Sequence, residues 1–398
     1  MRAALVDALR AKGHAESPAV LAAFAAVPRH LFVPDVSLAH AYRDESIPTK
    51  RLADGEAVSS SSQPTIMAVM LEQLDVRPGH RVLEIGAGTG YNAALLAHLV
   101  GTEGSVTTID IDADIVAAAR AHLAAAGVRA VDVVCADGWN GHDEAAPYDR
   151  IVLTVGAHDI APAWRAQLAP GGRLLLPLAL AAIQGSVVFE ERDGALESMS
   201  AHGCMFMRLR GAAALPMHPV PVGPEPAPRV WPRGEHRVDA AVAEALVRAP
   251  AHERAIDISV AARDLHDGLV LWMALHEPTS AWFTAHGEAA ATGFVPALFD
   301  GDGTRASFGL FERDGIALLC RRQSREPENG VRLGVRVHGD PVLGERVEAA
   351  VRAWDSAGRP GVTRLRVRAF PIDHAYREAP GEIVLMRACT RFVLAWRP

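Results

Sequence analysis

Residues 82–90 read Val-Leu-Glu-Ile-Gly-Ala-Gly-Thr-Gly, an apolar run that passes through three alternate glycines into the helix-like stretch 91–100. Glycine has no Cβ, so a strand feeding a helix through such a turn brings backbone amides and the positive helix end against a polar ligand. The spacing selects among ligands. A dinucleotide fingerprint, Gly-x-Gly-x-x-Gly, requires a third glycine at position 91, where Tyr91 stands. The glycines are instead Gly86, Gly88 and Gly90, with Glu84 just ahead of them. The loop therefore reads as a nucleotide-cofactor site of another kind; a tight turn without a ligand is the competing reading.

The flanking pattern predicts what surrounds the loop. Apolar spacing over 59–74 predicts a helix ending at Pro78-Gly79. Strands then alternate with helices: strand 81–85, helix 91–100, strand 105–109, helix 115–126, and strands 131–135, 150–155 and 168–177, the last carrying a Gly-Gly turn. Such alternation predicts a doubly wound, mainly parallel sheet, with ligand bound at the C-terminal end of its first strand. Residues 186–190 and 205–209 read as further strands. Between Leu215 and Gly234 lie Pro216, Pro219, Pro221, Pro224, Pro226, Pro228 and Pro232, a density that excludes helix and central strand and predicts a semi-rigid linker.

The domains expected are thus a helical segment 1–58 where substrate enters, a catalytic domain 59–214, the linker 215–234, and an α+β domain 235–398. In the last, strand 331–338, helix 341–354 and strand 363–370 read as a β-α-β unit, and Trp272, Trp282, Phe283, Phe294 and Phe299 as core.

Several function classes are excluded at this level. A formal net charge of −7 offers no footprint for nucleic acid. No signal pattern and no apolar run of about 18 residues is present, so a cytoplasmic enzyme without membrane contact is expected. Cys135, Cys204, Cys320 and Cys389 have no Cys-x-x-Cys spacing and read as buried or idle thiols, with no metal site. His236, His252, His266, His276, His286 and His338 are likewise spread without ligand spacing.

Asp110 ends the second strand about 20 residues past Gly90, where an acid accepts ribose hydroxyls in nucleotide-binding α/β folds. Capping of the next helix suits Asp112 or Asp114 better, and Ile111 would present an apolar face to adenine. Asp137-Gly138 reads either as an adenine-amine acceptor with room for the ring or as an ordinary turn.

Together with these, Val27-Pro28-Arg29-His30-Leu31-Phe32-Val33-Pro34, Ala41-Tyr42-Arg43-Asp44, Ser60-Ser61-Ser62-Gln63-Pro64 and Tyr148-Asp149-Arg150-Ile151-Val152-Leu153-Thr154 make the chain resemble protein-L-isoaspartate O-methyltransferases over 20 to about 180, and its glycine loop resembles motif I of class I methyltransferases. The resemblance implies methyl transfer from S-adenosyl-L-methionine to an aspartyl or isoaspartyl carboxylate, leaving S-adenosyl-L-homocysteine and an ester that collapses to a succinimide. It implies cofactor contacts by Ser62, Glu84, Gly86, Ala87, Gly88, Gly90, Asn92, Asp110, Ile111, Asp137 and Gly138. Ser62, with Asp44 and Ser60, is implied at the reaction centre, Ser62 orienting the substrate carboxylate. Helix capping is the alternative role of Ser60 to Ser62.

The chain departs from the family at Ser46-Ile47-Pro48-Thr49-Lys50-Arg51, where Leu-Pro-Ile-Gly is usual, and in its length. Lys50 and Arg51 read as a solvated pair or as a meeting point for an acidic peptide. These departures favour a dedicated enzyme resembling those that modify ribosomally made peptides such as lanthipeptides, with 235–398 walling a peptide groove over Ser62. General repair of isoaspartyl proteins is the second reading and a non-catalytic peptide-binding scaffold the third. A monomer is expected.

Overall fold

A computed structural model describes residues 1–53, 55, 57–214, 219–223, 225–233, 238–301, 303–322 and 330–397. The expected linker residues 215–218, 224 and 234, and His236, lie outside them.

Helices α1 (Arg2–Ala11), α2 (Pro18–Ala26) and α3 (Leu38–Ala41) precede a hairpin of β1 (Ile47–Arg51) and β2 (Ala57–Ser61), then α4 (Pro64–Leu74). The helix expected from 59 thus begins at Pro64: Pro64 occupies its first turn, where a missing N–H costs nothing, and 57–61 pair with β1 instead. Next come β3 (Arg81–Ile85), α5 (Tyr91–Val100), β4 (Ser105–Asp110), α6 (Ala113–Ala125), β5 (Val131–Cys135), β6 (Tyr148–Leu153), α7 (Pro162–Gln167), β7 (Leu168–Leu180), β8 (Ile183–Arg192) and β9 (Ala195–Cys204). Strands β5, β4, β3, β6 and β7 are mutually parallel, as the alternation predicts. Gly171 and Gly172 make no chain reversal but a register shift within β7. The strand expected at 205–209 is absent; that stretch is irregular, with one bridge between Gly156 and Arg208.

The order β7-β6-β3-β4-β5 puts β3 where the winding reverses, and a crevice opens beyond the carboxyl ends of strands at such a point. The N-terminal helices are not a separate module. Leu5, Leu9, Phe24 and Phe32 share one core with Leu71 of α4, Tyr91 and Leu95 of α5 and Val116 of α6. Arg150 of β6 secures α4: its guanidinium donates to the carbonyls of Leu74 at 2.6 Å and Asp75 at 3.0 Å, meeting carbonyls that a helix end leaves unpaired.

Residues 180–183 and 216–365 form a second compact unit. It holds β10 (Val220–Pro221), β11 (Arg229–Pro232), α8 (Ala240–Arg248), β12 (Ala251–Val260), α9 (Ala262–Asp264), a π-helical turn Leu265–Val270, α10 (Leu271–His276), β13 (Ser280–His286), α11 (Gly287–Ala291), β14 (Phe299–Gly301), β15 (Thr304–Glu312), β16 (Gly315–Arg322), β17 (Val331–Gly339) and α12 (Val342–Ser356). Among the described residues eight strands form an antiparallel sheet ordered β10-β11-β13-β15-β16-β17-β12, with β14 beside β15. The expected linker is corrected here: β10 and β11 pair with each other, and β11 with β13, Pro221 being tolerated because β10 is an edge and Pro232 because it ends β11 beyond the residues that β10 pairs. Phe283 and Phe294 are buried as expected, whereas Trp272, Trp282 and Phe299 are half-buried.

The chain then returns. Strands β18 (Leu365–Pro371), β19 (Ile383–Met386) and β20 (Thr390–Trp396) extend the first sheet in the order β19-β20-β18-β9-β8-β7, and Arg366–Arg397 belongs to the first unit. The expected domain 235–398 is therefore divided. Its β-α-β unit is corrected too, because β17 and β18 belong to different sheets.

Candidate active site

The loop after β3 is shaped by its glycines. Gly86 has φ +104° and a Cβ there would lie 2.7 Å from Thr154 Oγ1; Gly90, φ +83°, would meet the Ala119 carbonyl at 3.3 Å. The amides of Gly86 and Ala87 both donate to the Ile109 carbonyl, at 2.8 and 2.9 Å. Thr154 Oγ1 donates to the Gly86 carbonyl at 2.6 Å. The N-terminus of α5 follows directly, its orphan amides giving the site a positive end.

A cavity of about 660 Å³ lies over this loop, within the size range of small-molecule sites. Ser60, Ser62, Gly86, Ala87, Gly88, Asn92, Asp110, Ile111 and Gly138 all line it, so residues spread over almost eighty positions converge. The Ser60 carbonyl lies 3.5 Å from where a Gly88 Cβ would be, which carries the serine segment across the glycine loop. Asp110 Oδ2 accepts from the Gly88 amide at 3.1 Å and Oδ1 from the Asp112 amide at 3.3 Å; burial nonetheless raises its proton affinity. Gly138 is required by packing, since a Cβ there would stand 2.4 Å from Ile85 Cγ2.

Four expected residues lie off the lining. Glu84 is wholly buried, accepting from Asn92 Nδ2 at 2.7 Å and Thr108 Oγ1 at 2.6 Å; burial pushes its carboxyl up to about 7. It orients Asn92 from behind. Asp44 accepts from Thr65 N at 2.9 Å and Thr65 Oγ1 at 2.6 Å, capping α4 from outside and leaving Ser60 to Ser62 uninvolved in that cap. Asp137 accepts from the amides of Trp139 and Ala212 at 3.0 and 2.8 Å. Gly90 serves the packing of α5 on α6.

Sequence reasoning missed the stretch 203–210, which lines the cavity together with Ser46, Tyr91, Thr154 and Val155. Its apolar run reads only as a strand, with nothing to place it at the site. Gln184 holds it by a two-way amide pair with Phe206, at 3.0 and 2.7 Å, and Gly156 by Met207 O and Leu209 N. Lys50, half-buried, is paired and not left to solvent or a peptide alone: it bonds Asp112 and Asp114 at 2.7 and 2.8 Å, while Arg51 is exposed. Asp112 also takes Arg210, and the two cations hold it below the usual carboxylate range. Among the thiols only Cys320 is buried; Cys135 is exposed. Among the described residues no cluster suited to a metal occurs, and no helix is long and apolar enough to cross a membrane.

Residues 1–214 match the family model for protein-L-isoaspartate(D-aspartate) O-methyltransferase. A protein-L-isoaspartate O-methyltransferase of Methanopyrus kandleri is 39% identical over 212 residues, covering 53% of this chain and 91% of that protein. One from Methanoculleus marisnigri is 41% identical over 203 residues, 51% of this chain and 88% of that protein. A solved structure named protein-L-isoaspartate O-methyltransferase is similar in fold with a TM-score of 0.52 at 24% identity, over 92% of this chain and 96% of that one.

Proposed function

The chain belongs to the protein-L-isoaspartate(D-aspartate) O-methyltransferase family, and from that premise we propose that it methylates L-isoaspartyl carboxylates in proteins generally. Family membership makes it an S-adenosyl-L-methionine-dependent protein carboxyl O-methyltransferase with a class I methyltransferase fold. The cavity fits that cofactor: it encloses about 660 Å³, the glycine loop lines it, and Asp110 offers a carboxylate at the lining. When bound, the sulfonium supplies an electrophilic methyl group, whose S–C bond breaks as an O–CH₃ bond forms and the thioether departs.

The protein's own part is placement. A carboxylate, with a reference pKa of about 3.9, is already a nucleophile at neutral pH and needs no general base. What it needs is alignment, and holding two reactants in near-attack geometry is worth up to about 7–11 kcal/mol. Ser60 and Ser62 supply hydroxyls that orient the acceptor oxygen, the glycine loop and α5 receive the cofactor's polar groups, and Asp110 takes its ribose hydroxyls. The observation that carries this reading is the crossing of the Ser60–Ser62 segment over Gly88 within one cavity.

The dedicated peptide enzyme placed first from sequence has less support. The relatives carry the general name. The solved structure that matches this chain over 92% of its length does so too, so added length does not select the dedicated reading.

The test is incubation of the full chain with labelled S-adenosyl-L-methionine and unrelated isoaspartyl peptides, each beside its aspartyl counterpart. Labelling of every isoaspartyl peptide and none of the counterparts is expected. Labelling of none of them by a protein that binds the cofactor would overturn general repair and favour a dedicated substrate.

A further inference from the structure

Two segments that line the cavity end on one carboxylate that does not. Asp112 stands between β4 and α6, two residues past Asp110. Lys50 of β1 reaches its Oδ2 at 2.7 Å, across 62 residues of sequence. Arg210 forms a two-pronged pair with it, Oδ1 at 3.2 Å and Oδ2 at 2.9 Å, across 98 residues. Lys50 belongs to the hairpin whose residues 58–61 line the cavity, and Arg210 ends the 203–210 stretch. Helix capping does not account for this carboxylate: Asp112 holds the N-cap position of α6, yet its side chain accepts none of the helix amides. Its side chain is 21% exposed, that of Lys50 30% and that of Arg210 36%, so the pairs are shielded but still within reach of salt.

We propose that Asp112 is a positioning residue for the cofactor: by joining Lys50 to Arg210 it holds the β1–β2 hairpin and the 203–210 stretch against Asp110 and Ile111, an ion-pair latch that sets cofactor retention. The inference rests on S-adenosyl-L-methionine occupying this cavity. The latch also ties the serine segment to the adenosyl end of the site, since β2 and Lys50 share one hairpin.

The test is calorimetric titration of S-adenosyl-L-homocysteine into the full chain at low and high salt. That ligand is a zwitterion whose own screened contacts are the same in wild type and variant, so the difference between their salt dependences reports the protein's pairs. Kd of the wild-type chain should rise with salt. Asp112→Asn should bind roughly 5- to 10-fold more weakly at low salt, because a two-pronged charge-assisted pair and a second ion pair are lost, and its Kd should be flatter in salt. Lys50→Met and Arg210→Met should each give part of that loss; in the Asp112→Asn background Arg210→Met should add nothing, and Lys50→Met should add only what its pair with Asp114 contributes. These two also carry the test should Asp112→Asn fail to fold.

A wild-type Kd and salt dependence in Asp112→Asn, or fully additive losses, would overturn the latch alone. A wild-type chain that binds no ligand would overturn the cofactor reading, and the latch with it.

Discussion

Asn92, in the first turn of α5, donates to Oε1 of Glu84 at 2.7 Å, and Glu84 lies wholly out of water. Asn92 lines the cavity over the glycine loop, and Glu84 stands behind it as its hydrogen-bond acceptor.

Glu84 should make stability depend on pH. Burial raises its pKa from 4.5 to about 7, against the donors Thr108 and Asn92. The folded chain therefore holds the proton more tightly than the unfolded one. The stability this contributes is fully present below about pH 4.5 and is lost as pH rises through about 7. Denaturant midpoints measured from about pH 5 to about pH 8 should fall more steeply for the wild-type chain than for Glu84→Gln, whose side chain stays neutral. Equal slopes would contradict the burial argument.

The loop glycines should rank by backbone conformation. Gly86→Ala places a Cβ 2.7 Å from Thr154 Oγ1 at φ +104°, for a cost of about 1–3 kcal/mol and about a tenfold loss of S-adenosyl-L-homocysteine affinity per 1.4 kcal/mol expressed at the site. Gly88→Ala sits at φ +50° with its nearest neighbour at 3.5 Å, and should cost only about 1 kcal/mol. Calorimetry on both variants checks the order.

Asp44→Ala removes the external cap of α4 and should destabilise the fold by about 1 kcal/mol, the usual cost of losing such a cap, with Kd for S-adenosyl-L-homocysteine unchanged. Burial pushes the Asp44 carboxyl up, but the two bonds from Thr65 and the charge of Lys12 outweigh it and hold the group below its ordinary value. The wild-type chain should thus lose this contribution as pH falls through the folded value, and the variant should have a shallower acid limb. A variant that bound the cofactor product far more weakly would place Asp44 in the site after all.

Ending the chain at Leu365 should unfold the first unit. Strands β18 to β20 bury Val367, Ala369, Phe392, Val393 and Leu394 within it. At about 1.5–3 kcal/mol for each large apolar side chain, their loss rivals the roughly 5–15 kcal/mol that holds a typical domain together. Circular dichroism and thermal melting would show it; a wild-type melt would contradict the return of 366–397 to this sheet. Deleting 235–398 therefore cannot isolate the role of the second unit.

What the sequence alone determined is what depends on neighbours along the chain. The strand at 81–85, the helix at 91–100 and the glycine turn between them follow from side-chain period and from a missing Cβ. The mainly parallel sheet followed from their alternation, and with it the place of Asp110 and Ile111 at the carboxyl end of the second strand. Tertiary structure alone decided what depends on distant partners. β17 and β18 flank a helix yet join different sheets, because strand pairing is settled by which edge is available and not by order. The 203–210 stretch read partly as a strand yet lines the site as irregular chain, since Gln184 and Gly156 supply the hydrogen bonds that its backbone requires. Lys50 looked like a surface cation until Asp112, 62 residues away, proved to be its partner. Glu84 read as a cofactor ligand, and burial turned it into a support. Pairing and desolvation act through space, so no local pattern records them.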